Sequence, residues 1–188
     1  MIYICSHKPD KIPYKLDCTY KIVDNNNSDL PENYRHLRGM KQIWEMKNLP
    51  EEIGIFQHRR YLECNSIPES YDIVVPNNFC ICQMRSQYGS CHKLEDLDLV
   101  EKIIDEPKFS EYIRISNNHQ CYWHNIFICR KDFFIKYCDF LFTVLNAYYE
   151  INGDRDVCFL AERIGSYFIW KNIPKENIYI SKTIILSK

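Results

Sequence analysis

Ile53-Gly54-Ile55-Phe56-Gln57-His58-Arg59-Arg60-Tyr61 is the stretch on which the reading of this chain turns. Its apolar start is too short for a helix and carries β-branched Ile at positions 53 and 55, so it predicts a buried strand over Ile53–Gln57. That strand runs straight into a His and two Arg. In open α/β sheets, ligands bind outside the carboxyl ends of the strands. Guanidinium groups grip phosphate oxygens as bidentate forks, and an adjacent imidazole adds a donor. The loop Gln57-His58-Arg59-Arg60 therefore suits a diphosphate leaving group held without a metal. It suits equally a solvated basic turn held by salt bridges.

Working outward, Ile2–Cys5 and Tyr20–Val23 read as strands, the first running into the loop Ser6-His7-Lys8-Pro9. Ser28 or Asp29 can cap a helix with Pro31 in its first turn, running to about Lys47 with Leu37, Met40, Ile43 and Trp44 on one face. Tyr71–Val75 is a further strand, stopped by Pro76, and Leu94–Asp105 an acidic amphipathic helix. A strand is expected over His124–Ile128, then helices over about Lys131–Ile151 and Val157–Lys171, then a closing strand over Ile178–Leu186. Strands alternating with helices, several of them apolar throughout, predict one α/β domain of Rossmann type, with a mainly parallel sheet and helices on both faces.

Composition narrows the function. The 188 residues suit one domain, divided here into a nucleotide-binding half, 1–76, and an acceptor-side half, 77–188. With 24 basic and 25 acidic residues there is no cationic excess of the kind a nucleic-acid binder shows. Met1-Ile2-Tyr3-Ile4-Cys5 does not resemble a secretory leader, and no run reaches the roughly 18 apolar residues of a membrane span, so a cytoplasmic protein is expected. Its 10 cysteines then read as reduced thiols; Cys80-x-Cys82 with Cys91-His92 is the tightest group and lacks zinc-site spacing. None of the 5 glycines builds a G-x-G-x-x-G or phosphate-binding P-loop, and no G-x-S-x-G occurs, which disfavours dinucleotide oxidoreductases, P-loop kinases and common hydrolases.

Other residues carry candidate chemistry. Glu162, in Phe159-Leu160-Ala161-Glu162-Arg163, is a carboxylate in apolar surroundings, where a raised pKa suits a general base; a structural ion pair with Arg163 is the plain alternative. Asp96, in Glu95-Asp96-Leu97-Asp98, can serve a cation or simply the dipole at a helix start. Asp154-Arg155-Asp156 has the same ambiguity. His124-Asn125, beside Tyr122 and Trp123, can meet sugar hydroxyls or close a strand edge.

In this order the pieces resemble a bacterial family long catalogued as a domain of unknown function and found in capsular-polysaccharide and O-antigen gene clusters. The likeness rests on Ile2–Pro9, Ile43-Trp44, Gly54–Tyr61, Tyr88 with His92 and Glu95-Asp96-Leu97, Asn125–Ile128 and Phe159–Arg163. The family's usual His-Tyr-Arg-Arg-Tyr is Gln57-His58-Arg59-Arg60-Tyr61 here, and His36 and Lys41 replace a usual Glu and Tyr. Such proteins are similar in layout to GT-A glycosyltransferases. The resemblance implies transfer of a sugar, of galactosyl or galactofuranosyl type, from a nucleotide-diphosphate donor to a glycan hydroxyl. It implies Arg59 and Arg60 at the diphosphate and Glu162 as base, with Asp96 as runner-up. His7, Lys8, His58, Tyr61, Tyr88, His92, Asn125 and Arg163 would bind the donor. No required cofactor is expected; a divalent Mn or Mg is the less favoured arrangement. The competing readings are a non-catalytic glycan- or partner-binding module of the same fold and a metal-dependent phosphodiesterase.

Overall fold

Alternate side chains of each central strand belong to two different cores. In strand β1, Ile2–Ser6, Tyr3 and Cys5 pack into the larger core while Ile2 and Ile4 face a smaller one. The same alternation runs through β3, Glu52–Gln57, where Ile53 and Ile55 oppose Phe56. It continues in β5, Ile73–Pro76, where Ile73 and Val75 oppose Val74. Period-two alternation of this kind is what a sheet buried on both faces requires.

The structure is a computed structural model that describes residues 1–77, 83–114, 121–153 and 157–186. Strands β2, Tyr20–Asp24, β6, Phe127–Arg130, and β7, Ile178–Ser181, complete a path ordered β2-β1-β3-β6-β5-β7. The β1–β2, β1–β3 and β5–β7 pairings are parallel, while β6 runs antiparallel to both its neighbours. The five other strands of this path therefore share one direction, as expected of a mainly parallel sheet. Strands β4, Arg60–Leu62, and β8, Thr183–Ile185, leave the path as an antiparallel ribbon hung from the end of β3.

Among the described residues, the expectation of helices on both faces holds for one face only. Helices α1, Leu37–Trp44, α2, Met84–Cys91, α3, Leu94–Ile104, α4, Pro107–Arg114, α5, Lys131–Asn152, and α6, Cys158–Asn172, all send their buried apolar residues into the larger core. Among the described residues, the opposite face is covered by irregular chain at Ile12, Tyr14, Leu16, Cys18, Cys64 and Ile67, with Tyr61 and Leu62 of the ribbon. Tyr14 and Tyr61 stack there with ring centroids 4.3 Å apart.

Three boundaries differ from the sequence reading. The first helix begins at Leu37 because Arg35 adopts a positive φ of 48°, which interrupts a helix started nearer Asp29. His124 and Asn125 form a tight turn rather than a strand, both with positive φ, and β6 starts only at Phe127. The closing strand is broken in two, β7 in the sheet and β8 in the ribbon. Helices α5 and α6 pack closely because residue 165 is Gly: a Cβ there would sit 2.1 Å from the Tyr137 hydroxyl. Among the described residues, no helix is long and apolar enough to cross a membrane.

Candidate active site

The carboxyl ends of β1, β2 and β3 open into a cavity of about 930 Å³. Cys5, His7 and Lys8 enter it from β1, Asn25 and Asn26 follow β2, and Gln57, His58 and Arg59 follow β3. Arg35, His36 and Arg38 come from the chain around the start of α1, Arg60 from β4, and Ile185 and Leu186 from the ribbon. Glu32 is its one carboxylate among the described residues. Lys8, Arg38, Arg59 and Arg60 have no ion-pair partner among the described residues, although Arg38 donates to the Ser28 carbonyl and Arg60 to Gln57 Oε1 at 3.1 Å. Side chains of one sign without counter-ions focus the field on an anion. Among the described residues a divalent cation would find one carboxylate amid these cations, a donor set that fits such an ion poorly.

His58 is tuned as a neutral donor. Burial pushes its pKa down, helped by His7, Arg59 and Lys8. Ser6 Oγ accepts the Lys8 backbone N–H at 2.9 Å and lies 2.9 Å from His58 Nδ1.

A second cavity of about 430 Å³ adjoins the first and shares Arg35, His36 and Arg60 with it. Here the chemistry differs. Trp123, His92 and Phe159 supply rings, the last two with centroids 4.2 Å apart, while Glu162 and Arg163 rise from α6. Burial pushes the Glu162 pKa up, opposed by Arg163, the His124 N–H and Arg60. Its Oε1 accepts the His124 backbone N–H at 3.0 Å and its Oε2 accepts from Arg163 at 3.0 Å. Arg163 is held in turn by Gln87 Oε1 at 2.6 Å and by the Trp123 ring, 4.4 Å from its guanidinium carbon. Burial and the nearby Arg60 keep His36 and His124 neutral, pushing their pKa values down to about 3 and about 4. The left-handed pair His124 (φ 75°) and Asn125 (φ 51°) costs about 1–3 kcal/mol per residue, and such strain persists where surrounding contacts over-determine it. Those contacts are the bond to Glu162 and a bond from Gln57 Nε2 to the His124 carbonyl.

The family model described as Domain of unknown function (DUF4422) matches residues 14–172. The chain belongs to this family. It is also similar to the apo structure of WbbM, described as a bifunctional glycosyltransferase, with a TM-score of 0.77 at 15% identity. The match covers all of this chain and 45% of that one, so the DUF4422 chain spans less than half the length of its structural relative. No curated protein matches the sequence. At this identity the likeness establishes the fold, a glycosyltransferase fold of GT-A type.

Within this DUF4422 fold the sequence-selected residues divide. His7, Lys8, His58, Arg59 and Arg60 line the first cavity. Arg60, His92, Glu162 and Arg163 line the second. Asp96, in the first turn of α3, lines neither. Tyr61 is in the reverse-face core, Tyr88 is buried with its ring 5.1 Å from the Arg163 guanidinium carbon, and Asn125 is buried with Nδ2 3.3 Å from His36 Nε2. Cys80, Cys82 and residues 154–156 lie outside the described residues. Sequence reading missed Arg35 and Arg38, although the run Arg35-His36-Leu37-Arg38 is a visible basic cluster. It also missed Ile185 and Leu186, for which no local signal exists.

Proposed function

We propose that the chain transfers a sugar from a nucleotide diphosphate to a hydroxyl of a glycan, with cationic side chains in place of a metal. The observation that carries this reading is the set Lys8, Arg38, Arg59 and Arg60, without ion-pair partners among the described residues, around a cavity at the strand ends of a GT-A-type sheet. Charge develops on the leaving diphosphate as the bond from the anomeric carbon to the phosphate oxygen breaks. Preorganised guanidinium groups stabilise that charge. The acceptor oxygen forms the new bond to the anomeric carbon and gives its proton to Glu162, in the adjoining cavity. A base held in place contributes about 10²–10⁴-fold to such a step. Trp123, His92 and Phe159 suit the apolar faces of an acceptor ring. A galactosyl or galactofuranosyl donor rests on the family resemblance alone.

The test is an incubation with a panel of nucleotide sugars and oligosaccharide acceptors, with and without EDTA, read by mass spectrometry. Sugar transfer that survives EDTA supports the reading. Donor binding without any transfer or hydrolysis would replace it with a non-catalytic binding module. Metal-stimulated cleavage of phosphate esters would replace it with a phosphodiesterase.

A further inference from the structure

The two cavities are joined by a chain of polar contacts through a residue that the transfer chemistry does not itself use. Arg60 Nη1, at the diphosphate end, donates to Gln57 Oε1 at 3.1 Å. Gln57 Nε2 donates to the His124 carbonyl. The His124 N–H donates to Glu162 Oε1 at 3.0 Å. Gln57 ends the central strand β3, is buried, and has its own carbonyl bonded by the Tyr14 hydroxyl at 2.7 Å. Its backbone is therefore fixed and its amide has one orientation that serves both ends. A primary amide can accept from an arginine and donate to a carbonyl at once, which an ionised carboxylate or a thioether of the same length cannot.

We propose that Gln57 is a positioning residue that couples the diphosphate cations to the general base by holding the left-handed His124–Asn125 turn against Glu162. The proposal rests on the reading of Glu162 as base. The mechanism is local. The turn is strained, and it keeps its N–H on the carboxylate because the carbonyl of the same residue is tied down by Gln57. Release of that carbonyl lets the turn relax and withdraws a hydrogen bond that favours the ionised carboxylate. Of the other charged or titratable groups facing Glu162, Arg60 alone is among those bonded to Gln57 in the chain of contacts above. These groups are Arg163 on its own helix, the His124 imidazole with Nδ1 at 3.9 Å, Arg60 from β4 and Tyr137 from α5, with Arg35, His36 and His92 around the same cavity.

The experiment follows the side-chain carboxyl carbon of Glu162 by NMR titration in protein labelled at glutamate Cδ, with the signal assigned by Glu162→Gln. Gln57→Met keeps the length and volume but makes neither bond. Gln57→Glu accepts from Arg60 but cannot donate to the His124 carbonyl. Both are expected to raise the Glu162 midpoint, by about one pH unit, a tenfold change in proton affinity, for Gln57→Met. In transfer assays the same variants should move the acid limb of the kcat profile upward and lower kcat about tenfold. A residue that only supports the strand would lower Tm and leave the midpoint where it was. An unchanged midpoint in either folded variant overturns the proposal. If the wild type moves no sugar while Glu162 still responds to Gln57, the transferase reading fails and the coupling stands.

Discussion

The two cavities share a wall but solve opposite electrostatic problems. The first gathers cations and, among the described residues, gives Lys8, Arg38, Arg59 and Arg60 no carboxylate partner. The second buries one carboxylate and surrounds it with donors, so that Glu162 is both desolvated and hydrogen-bonded. A folded chain does not gather unpaired cations around one cavity for stability, since like charges repel. It also does not bury a carboxylate cheaply without partners. The contrast teaches that the first region carries charge that the described chain does not neutralise, while the second satisfies its own carboxylate.

The sharpest way to break this contrast is Glu162→Gln. It is expected to lower transfer about 10²–10⁴-fold with donor affinity unchanged, which steady-state rates beside calorimetry would show. Equal loss of donor affinity would merge the two cavities into one binding site. Next in size, Arg59→Ala removes one charge-assisted partner and should cost about 1.5–3 kcal/mol of diphosphate binding, more at low salt than at high. Salt-independent loss would point to packing instead.

The neutral histidines at the shared wall give a pH signature. Burial lowers the folded-state pKa of His36 to about 3 and of His124 to about 4. Groups with depressed values hold their neutral form, so their contribution is present above the unfolded value near 6.5 and is lost as pH falls through that window toward 4. Chemical denaturation at several pH values should show stability falling below about pH 6.5, and His36→Gln should flatten part of the slope. A variant as steep as the wild type would mean that His36 is not held neutral by the fold. Gly165→Ala, at a position that lines neither cavity, should destabilise by about 1–3 kcal/mol through the clash with Tyr137, read as a lower Tm. The smallest effect is expected at Tyr61→Phe, on the reverse face. It keeps the ring that stacks on Tyr14, and donor binding should be unchanged.

Sequence alone carried the strands well because their signal is local. Ile2–Cys5 and Ile53–Gln57 are short apolar runs ending in polar loops, and both became central strands that deliver their loops to one cavity. The Arg59-Arg60 pair and Glu162 stood out for the same reason: charge beside apolar residues. What was not legible depends on contacts distant in sequence. Tyr61 belongs to the same run as Arg60, yet it packs with Leu62 into the smaller core while Arg60 lines both cavities. The link from Gln57 to His124 spans 67 positions, and nothing near either residue announces it. The turn at His124-Asn125 was read as strand because its neighbours are apolar, while the positive φ values are imposed by tertiary bonds. The helix start moved to Leu37 because Arg35 leaves helical space, which no capping signal at Ser28 or Asp29 foretold.

The central claim is that the unpaired cations of the first cavity hold a nucleotide diphosphate without a metal. Isothermal calorimetry of wild type and Arg59→Ala with nucleoside diphosphates, in EDTA, tests it directly. The account predicts binding of at least one nucleoside diphosphate by the wild type in EDTA, weakened about tenfold or more by Arg59→Ala. Binding that appears only when a divalent metal is supplied, or binding indifferent to Arg59, would contradict it.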